Sequence, residues 1–307
     1  MSEMEVLDCV IVGGGPGGLT AGLYAARARM SVVILERGAP GGLLATTDHV
    51  ANYPGFPEGI TGLELAELMR RQAESFGAEV TYGEATALEP GREYHTVRTE
   101  GREYRAKTVI LATGTTHRPL GVPGEERLRG KGVSYCATCD GAFFRDREVA
   151  VVGGGDSAVQ EAMFLTRFAR KVTVVHRRDK LRATPIIQER AFETSGLEFR
   201  WNAVVTEVLG EEKVEGVRLW DTKTGENAGV LPVDGVFVYI GLLPNTEFAR
   251  GAVEMDAAGY LVAGPDMATS VPGIYAVGDV RVTSLRQVAT AVGDGAMAAV
   301  AAYEHLG

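Results

Sequence analysis

One pattern occurs twice in this chain, and it restricts the fold more than any other feature. The first copy is the apolar run Asp8-Cys9-Val10-Ile11-Val12 followed by Gly13-Gly14-Gly15-Pro16-Gly17-Gly18. The second is Val149-Ala150-Val151-Val152 followed by Gly153-Gly154-Gly155-Asp156-Ser157-Ala158. Small residues at helical spacing come next, Ala21, Ala25 and Ala26 in one copy and Ala158 and Ala162 in the other. A second apolar run closes each, Val32-Val33-Ile34-Leu35 and Val172-Thr173-Val174-Val175. Strand, glycine turn, helix and strand in that order is the setting in which G-x-G-x-x-G/A has physical content. Gly13 and Gly153 make the tight turn. Gly15 and Gly155 let the backbone approach a pyrophosphate, and Gly18 and Ala158 let helix and strand lie close. The helix starts, at Pro16 and at Asp156-Ser157, then face phosphate with their partial positive charge. A single copy is weak; two copies in context, 140 residues apart, predict an α/β chain with two Rossmann-like dinucleotide-binding domains.

The residues that close the two second strands separate the two sites. Glu36 stands 21 residues after Gly15, where an acid accepts hydrogen bonds from a ribose hydroxyl. The same offset from Gly155 reaches His176, followed by Arg177 and Arg178, with Arg182 nearby. An acid would repel a 2′-phosphate, whereas guanidinium groups bind one, often bidentately. The first site therefore suits an adenosine with a free ribose, as in FAD, and the second suits NADPH. The plain alternative for the basic run is a solvated strand end.

With 307 residues, 45% of them apolar and 23% charged, the chain has room for two ordinary domains and a sizeable core. Forty glycines is roughly twice the usual share. A net charge of -9 argues against nonspecific nucleic-acid binding, which needs a basic surface. No apolar run reaches the ~18 residues of a membrane span. Met1-Ser2-Glu3-Met4-Glu5 lacks the charged and apolar segments of a signal peptide. The expectation is a cytoplasmic protein with no membrane and no nucleic acid among its partners.

Three cysteines do not make a secreted disulfide framework. Cys9 lies in an apolar run and reads as a small core residue. Cys136 and Cys139 form a lone C-x-x-C, either redox-active or half of a metal site. Structural zinc wants four ligands. No second C-x-x-C exists, and His49, His95, His117, His176 and His305 show no paired spacing, so no metal site is predicted. Strained or exposed disulfides tend to be the catalytic ones. Asp140, next to Cys139, is a candidate acid for protonating a leaving thiolate; its alternative role is a helix or turn cap.

Near the end, Gly273-Ile274-Tyr275-Ala276-Val277-Gly278-Asp279 reads as a strand finishing in Gly-Asp. Arg286-Gln287-Val288 and a small-residue helix over 289–302 follow. Asp279 is placed to offer a carboxylate to a flavin's ribityl chain, and the helix start to aim its dipole at the flavin. Alone, this could equally be an ordinary strand and helix.

Taken together, these stretches resemble the bacterial-type, low-molecular-weight thioredoxin reductases over nearly the whole chain. The resemblance rests on residues 13–18, Asn52-Tyr53-Pro54-Gly55, Ala112-Thr113-Gly114, Cys136-Ala137-Thr138-Cys139-Asp140-Gly141, residues 153–158, His176-Arg177-Arg178, Ile240-Gly241 with Pro244-Asn245-Thr246, and Gly278-Asp279. It implies a three-layer ββα/βα architecture with the NADPH domain inserted in the FAD domain: 1–116 FAD, 117–244 NADPH with the redox C-x-x-C, and 245–307 FAD again. Hinges would fall in residues 112–119 and 241–245, allowing the NADPH domain to rotate. The resemblance further implies that Cys139 faces the flavin, Cys136 attacks oxidised thioredoxin, Asp140 is the acid, and the chain forms a homodimer. It adds Gly42, Leu43, Asn52, Thr113, Gly114, Arg286, Gln287 and Val288 to the FAD site. There are departures. The family often has Gly-Gly-Gln where this chain has Gly41-Gly42-Leu43, which puts one flavin-side hydrogen bond in doubt, and Gln160 stands where an acid is expected. Two rivals stay open: a reductase of the same build with another disulfide acceptor, and a non-catalytic flavin-binding regulator.

Overall fold

The computed structural model describes residues 6–307; Met1-Ser2-Glu3-Met4-Glu5 lies outside the described residues. Two compact units emerge, one comprising residues up to Thr116 together with Leu243–Gly307, the other His117–Leu242. In the first unit β1 (Val6–Val12) turns at the glycines into α1 (Pro16–Arg27) and returns as β2 (Val32–Glu36), parallel to β1 with Cys9 opposite Val32. Thr61 caps α2 (Gly62–Ser75) by accepting the Glu64 N–H at 3.2 Å. β3 (Glu79–Tyr82), β4 (Ala85–Glu89), β5 (His95–Thr99) and β6 (Glu103–Leu111) complete a sheet of order β3-β2-β1-β6-β5-β4.

Both faces of β1 are covered, which is why the sequence there is apolar without alternation. Cys9 and Ile11 point to a helical layer containing Leu19, Ala21, Ala25, Ala298 and Ala302. Val10 and Val12 point the other way, to Leu88, Val97, Tyr104, Val253 and Leu261. Side chains alternate across a strand, so one strand serves two cores. Fully burying a Val, Leu or Ile side chain in either core contributes about 1.5–3 kcal/mol relative to exposure. Cys9 is fully buried and free, and burial pushes its thiol up to about 12.

The second unit repeats the plan. β7 (Thr115–His117) leads out of the first unit to β8 (Val133–Ser134) and the single-turn α3 (Ala137–Asp140). The glycine unit follows: β9 (Glu148–Gly153), α4 (Asp156–Leu165), β10 (Lys171–Val175), α5 (Pro185–Glu193) and β11 (Leu197–Arg200). An antiparallel meander, β12 (Ala203–Leu209), β13 (Gly216–Asp221) and β14 (Glu226–Pro232), precedes β15 (Gly235–Tyr239). The parallel sheet runs β11-β10-β9-β15-β8. Val149 and Val151 pack on the helical layer with Ala158, Ala162 and Leu165, while Ala150 and Val152 pack on the meander with Val205, Val217 and Leu219. β16 (Leu242–Pro244) leads out and pairs with β7, so the two connecting segments form a two-stranded sheet. The units divide at 242/243, two residues before the 244/245 boundary expected from sequence.

Back in the first unit, β17 (Ile274–Ala276) lies parallel to the second half of β6, beyond the stretch that pairs with β5. α6 (Val288–His305) follows, starting one residue before the predicted helix and ending three after it.

The glycine turn explains the close packing of β1 and α1. Gly13 has φ +108°, and a methyl on Gly18 would strike the Gly13 carbonyl oxygen. Gly18→Ala is therefore expected to cost roughly 1–3 kcal/mol or more through forced separation of helix and strand. Urea-unfolding midpoints check this; an unchanged midpoint would show that the approach has slack.

Candidate active site

Cys136 and Cys139 are joined in a disulfide at the start of α3. Cys136 is the N-cap, and its Sγ accepts the Cys139 N–H at 3.1 Å. The helix sits on a buried floor. Ala137 is wholly buried and donates its N–H to the Tyr239 hydroxyl at 2.9 Å, and the Tyr239 ring meets His117 edge-on at 5.2 Å. Burial is the chief cause that pushes the Tyr239 hydroxyl well above the usual phenol range, so it stays a neutral hydrogen-bonding group. Cys136 is half-buried and Cys139 exposed.

Asp140 stands at the N-cap of the short 3-10 turn Gly141–Phe144, but its side chain makes no capping hydrogen bond. Its Oδ2 accepts from the buried Ser134 hydroxyl at 2.6 Å, and the same Ser134 oxygen accepts the Cys136 N–H at 3.0 Å. Ser134 thus ties the carboxyl to the backbone of the first cysteine. Nothing in the local sequence marks Ser134 or Tyr239; a polar residue on a short strand just before C-x-x-C is the only hint for the first.

At the second glycine turn Gly155 caps α4, and the space where a Cβ would project is open except for the Arg182 guanidinium, whose Nη2 is 4.0 Å away. The loop carrying Arg182 is pinned there: the Arg182 N–H reaches Gly154 O at 2.7 Å, and the Thr184 N–H reaches Asp156 Oδ1 at 2.6 Å. Asp156 therefore builds the turn, while Ser157 is exposed beside it. Arg177, Arg178 and Arg182 are exposed, and none is in an ion pair among the described residues. His176 differs from its neighbours. It is 5% exposed, packed under Gly154 where a methyl would collide with the ring, and edge-on to Trp201 at 6.3 Å. Burial holds its pKa below the usual histidine value. Its Nε2 is buried without a hydrogen-bond partner.

At the first turn Gly15 caps α1 with nothing within 4 Å of its Cβ direction, and Gly42 lies close by, its own Cβ direction 3.7 Å from Gly15 Cα. Pro16 opens the helix and Leu43 is half-buried in the adjoining turn. Glu36 reaches back from β2 to accept the Gly14 N–H at 2.7 Å and the Gly38 N–H at 2.9 Å. Thr113 and Asn245 exchange hydrogen bonds, Thr113 Oγ1 to Asn245 O at 2.7 Å and Asn245 Nδ2 to Thr113 O at 2.8 Å, beside the open backbone of Gly114. Asn52 Nδ2 donates to Gln287 Oε1 at 3.0 Å, and Gln287 caps α6 just ahead of Val288. Burial raises the Asp279 carboxyl, and Arg286 donates from Nε to Asp279 O at 3.4 Å. Both turns thus present open backbone at the second glycine, the cradle a pyrophosphate needs. Among the described residues no three His, Cys, Asp or Glu side chains gather as a metal site, and no helix is long and apolar enough to cross a membrane.

Two α/β units with such turns, and a disulfide within the second unit, define a class of flavin- and nucleotide-dependent disulfide enzymes. Residues 7–295 match the family model of pyridine nucleotide-disulphide oxidoreductases, and the chain belongs to that family. Within it, the similarity is to thioredoxin reductases. The chain is 49% identical to that of Listeria monocytogenes over 306 residues, 99% of this chain and 95% of the relative. It is 50% identical to that of Bacillus subtilis over 300 residues, 97% and 94% of the two chains. The crystal structure of Lactococcus lactis thioredoxin reductase matches with a TM-score of 0.96 at 48% identity, covering 98% of this chain and 99% of the other. This chain is thus an oxidoreductase of that type, working with a flavin and a pyridine nucleotide.

Proposed function

We propose that the chain is an NADPH-dependent thioredoxin-disulfide reductase, a cytoplasmic homodimer, with FAD at the first glycine turn and NADPH at the second. The observation that carries this reading is the Cys136–Cys139 disulfide at a helix start, with Asp140 tethered to it through Ser134. FAD, when bound, supplies the two-electron link between a nicotinamide and a disulfide.

The residues of the first site are Gly13, Gly15, Pro16 and Gly18 around the pyrophosphate, Glu36 on the ribose, and Gly42, Asn52, Thr113, Gly114, Asp279, Arg286, Gln287 and Val288 around the rest. Glu36 still has lone pairs to offer, since each carboxylate oxygen accepts one backbone hydrogen bond here. Leu43 contributes only apolar contact. At the second site Gly153, Gly155, Asp156 and Ser157 form the turn, and Arg177, Arg178 and Arg182 take the 2′-phosphate. His176 shapes the floor beneath Gly154.

In the reduced protein the Cys136 thiolate attacks one sulfur of oxidised thioredoxin. A Cys136–thioredoxin disulfide forms, and the other thioredoxin sulfur leaves and takes a proton. Cys139 then attacks Cys136 Sγ, restoring the intramolecular disulfide and releasing the second thioredoxin thiol. Asp140 supplies a proton to a departing thiolate within this cluster. The Cys139 N–H already points at Cys136 Sγ, so it is placed to stabilise a thiolate there.

The test is NADPH oxidation with oxidised thioredoxin as acceptor, with flavin absorbance recorded alongside. Bleaching by NADPH followed by rapid turnover is the expected result. Bleaching without turnover would move the search to another disulfide acceptor, and a bound flavin untouched by NADPH would sink the reductase reading.

A further inference from the structure

The short turn Gly278–Val280, which carries Asp279, is held to α6 by a buried ion pair. Asp294, 5% exposed, accepts the Gly278 N–H on Oδ2 at 3.0 Å. Arg281 grips the same carboxylate with two nitrogens, Nε to Oδ2 at 2.7 Å and Nη2 to Oδ1 at 2.8 Å. Its side chain is 16% exposed and that of Asp294 7%.

A buried ion pair is a poor way merely to join a turn to a helix. Desolvating both charges offsets most of their attraction, and apolar packing would serve as well. What the pair does that apolar residues cannot is local. It gives the backbone N–H of Gly278, the residue immediately before Asp279, a buried acceptor. It also places a carboxylate near Asp279 and cancels its charge at once. Asp294 is close enough to add to the burial that raises the Asp279 carboxyl, with Arg286 acting in the opposite sense.

Resting on the flavin reading of this unit, we propose that Arg281 and Asp294 are positioning residues for the flavin. Asp294 holds the backbone from which Asp279 reaches the ribityl chain, and Arg281 neutralises Asp294 so that Asp279 meets no unpaired charge.

The experiment strips FAD from the wild type and from Arg281→Met, Arg281→Lys and Asp294→Asn. It then measures FAD rebinding by fluorescence, the midpoint potential of the rebound flavin, and the unfolding midpoint of each apoprotein. Arg281→Met, which leaves Asp294 uncompensated, should weaken FAD binding about tenfold or more and move the potential negative. Asp294→Asn keeps an acceptor for Gly278 but strands the Arg281 charge. It should keep FAD affinity nearer the wild type and move the potential positive. Arg281→Lys, which keeps the charge but loses the two-nitrogen grip, should fall between, and it carries the test if Arg281→Met does not fold. Wild-type affinity and potential in the variants, with only the unfolding midpoint lowered, would overturn the proposal; so would shifts of the same sign in Arg281→Met and Asp294→Asn. Wild-type apoprotein that fails to rebind FAD would overturn the flavin reading beneath it.

Discussion

Cys136→Ser is expected to cut thioredoxin-dependent NADPH oxidation by more than about 10³-fold, the scale of deleting an attacking nucleophile. Flavin bleaching by NADPH should persist, because the fold and the glycine turns do not involve the Cys136 sulfur. Cys139→Ser should lose turnover as well, but for a different reason and with a different signature. There Cys136 can still attack thioredoxin, and with no Cys139 to resolve the product, a covalent mixed disulfide with thioredoxin should accumulate. Non-reducing gels read this directly. An adduct trapped by Cys136→Ser and not by Cys139→Ser would reverse the roles assigned to the two sulfurs. Their surroundings are unequal: Cys136 is half-buried, with its sulfur facing the Cys139 N–H, while Cys139 is exposed.

Replacing Arg177 and Arg178 together by Ala should lower the preference for NADPH over NADH by at least about tenfold, and by more if both guanidiniums contact the phosphate. Each charge-assisted hydrogen bond contributes roughly 1.5–3 kcal/mol, and 1.4 kcal/mol is a factor of ten. The measurement is the ratio of kcat/KM for the two nucleotides. The kcat/KM for NADH itself should hardly change, since NADH has no 2′-phosphate to lose. Because both arginines are exposed and unpaired, the preference should also shrink with added salt, as surface charges are screened beyond about 8–10 Å near physiological ionic strength. An unchanged ratio in the double variant would mean that these arginines serve only as a solvated strand end.

The motifs that were legible in the sequence are those whose chemistry is local. Gly13 and Gly18 announce themselves because the turn and the close strand–helix approach exclude side chains at those positions, and the structure places a carbonyl where each methyl would go. β1 and β9 were legible as buried strands because both their faces are covered. The basic run after β10 was legible as three surface charges, yet His176 at its head turned out to be a buried ring under Gly154. Nothing in a one-dimensional reading separates a strand-end histidine that points outward from one that points in.

By itself the sequence determined two α/β dinucleotide units, the strand–turn–helix–strand core of each, the candidate redox pair and the opposite charge character of the two turns. Period-two burial and glycine chemistry act over a few tens of residues, so they are written in consecutive positions. Only the tertiary structure decided what holds those features in place: Tyr239 under Ala137 from 102 positions away, Gln287 against Asn52 from 235 away, Ser134 between Cys136 and Asp140, and Asp294 with Arg281 behind Asp279. Each of these is a hydrogen bond or ion pair made by a side chain that carries no periodic signal. Such a pairing exists only once the sheets have brought its partners together, because a buried polar group is tolerated there only if its partner arrives with it.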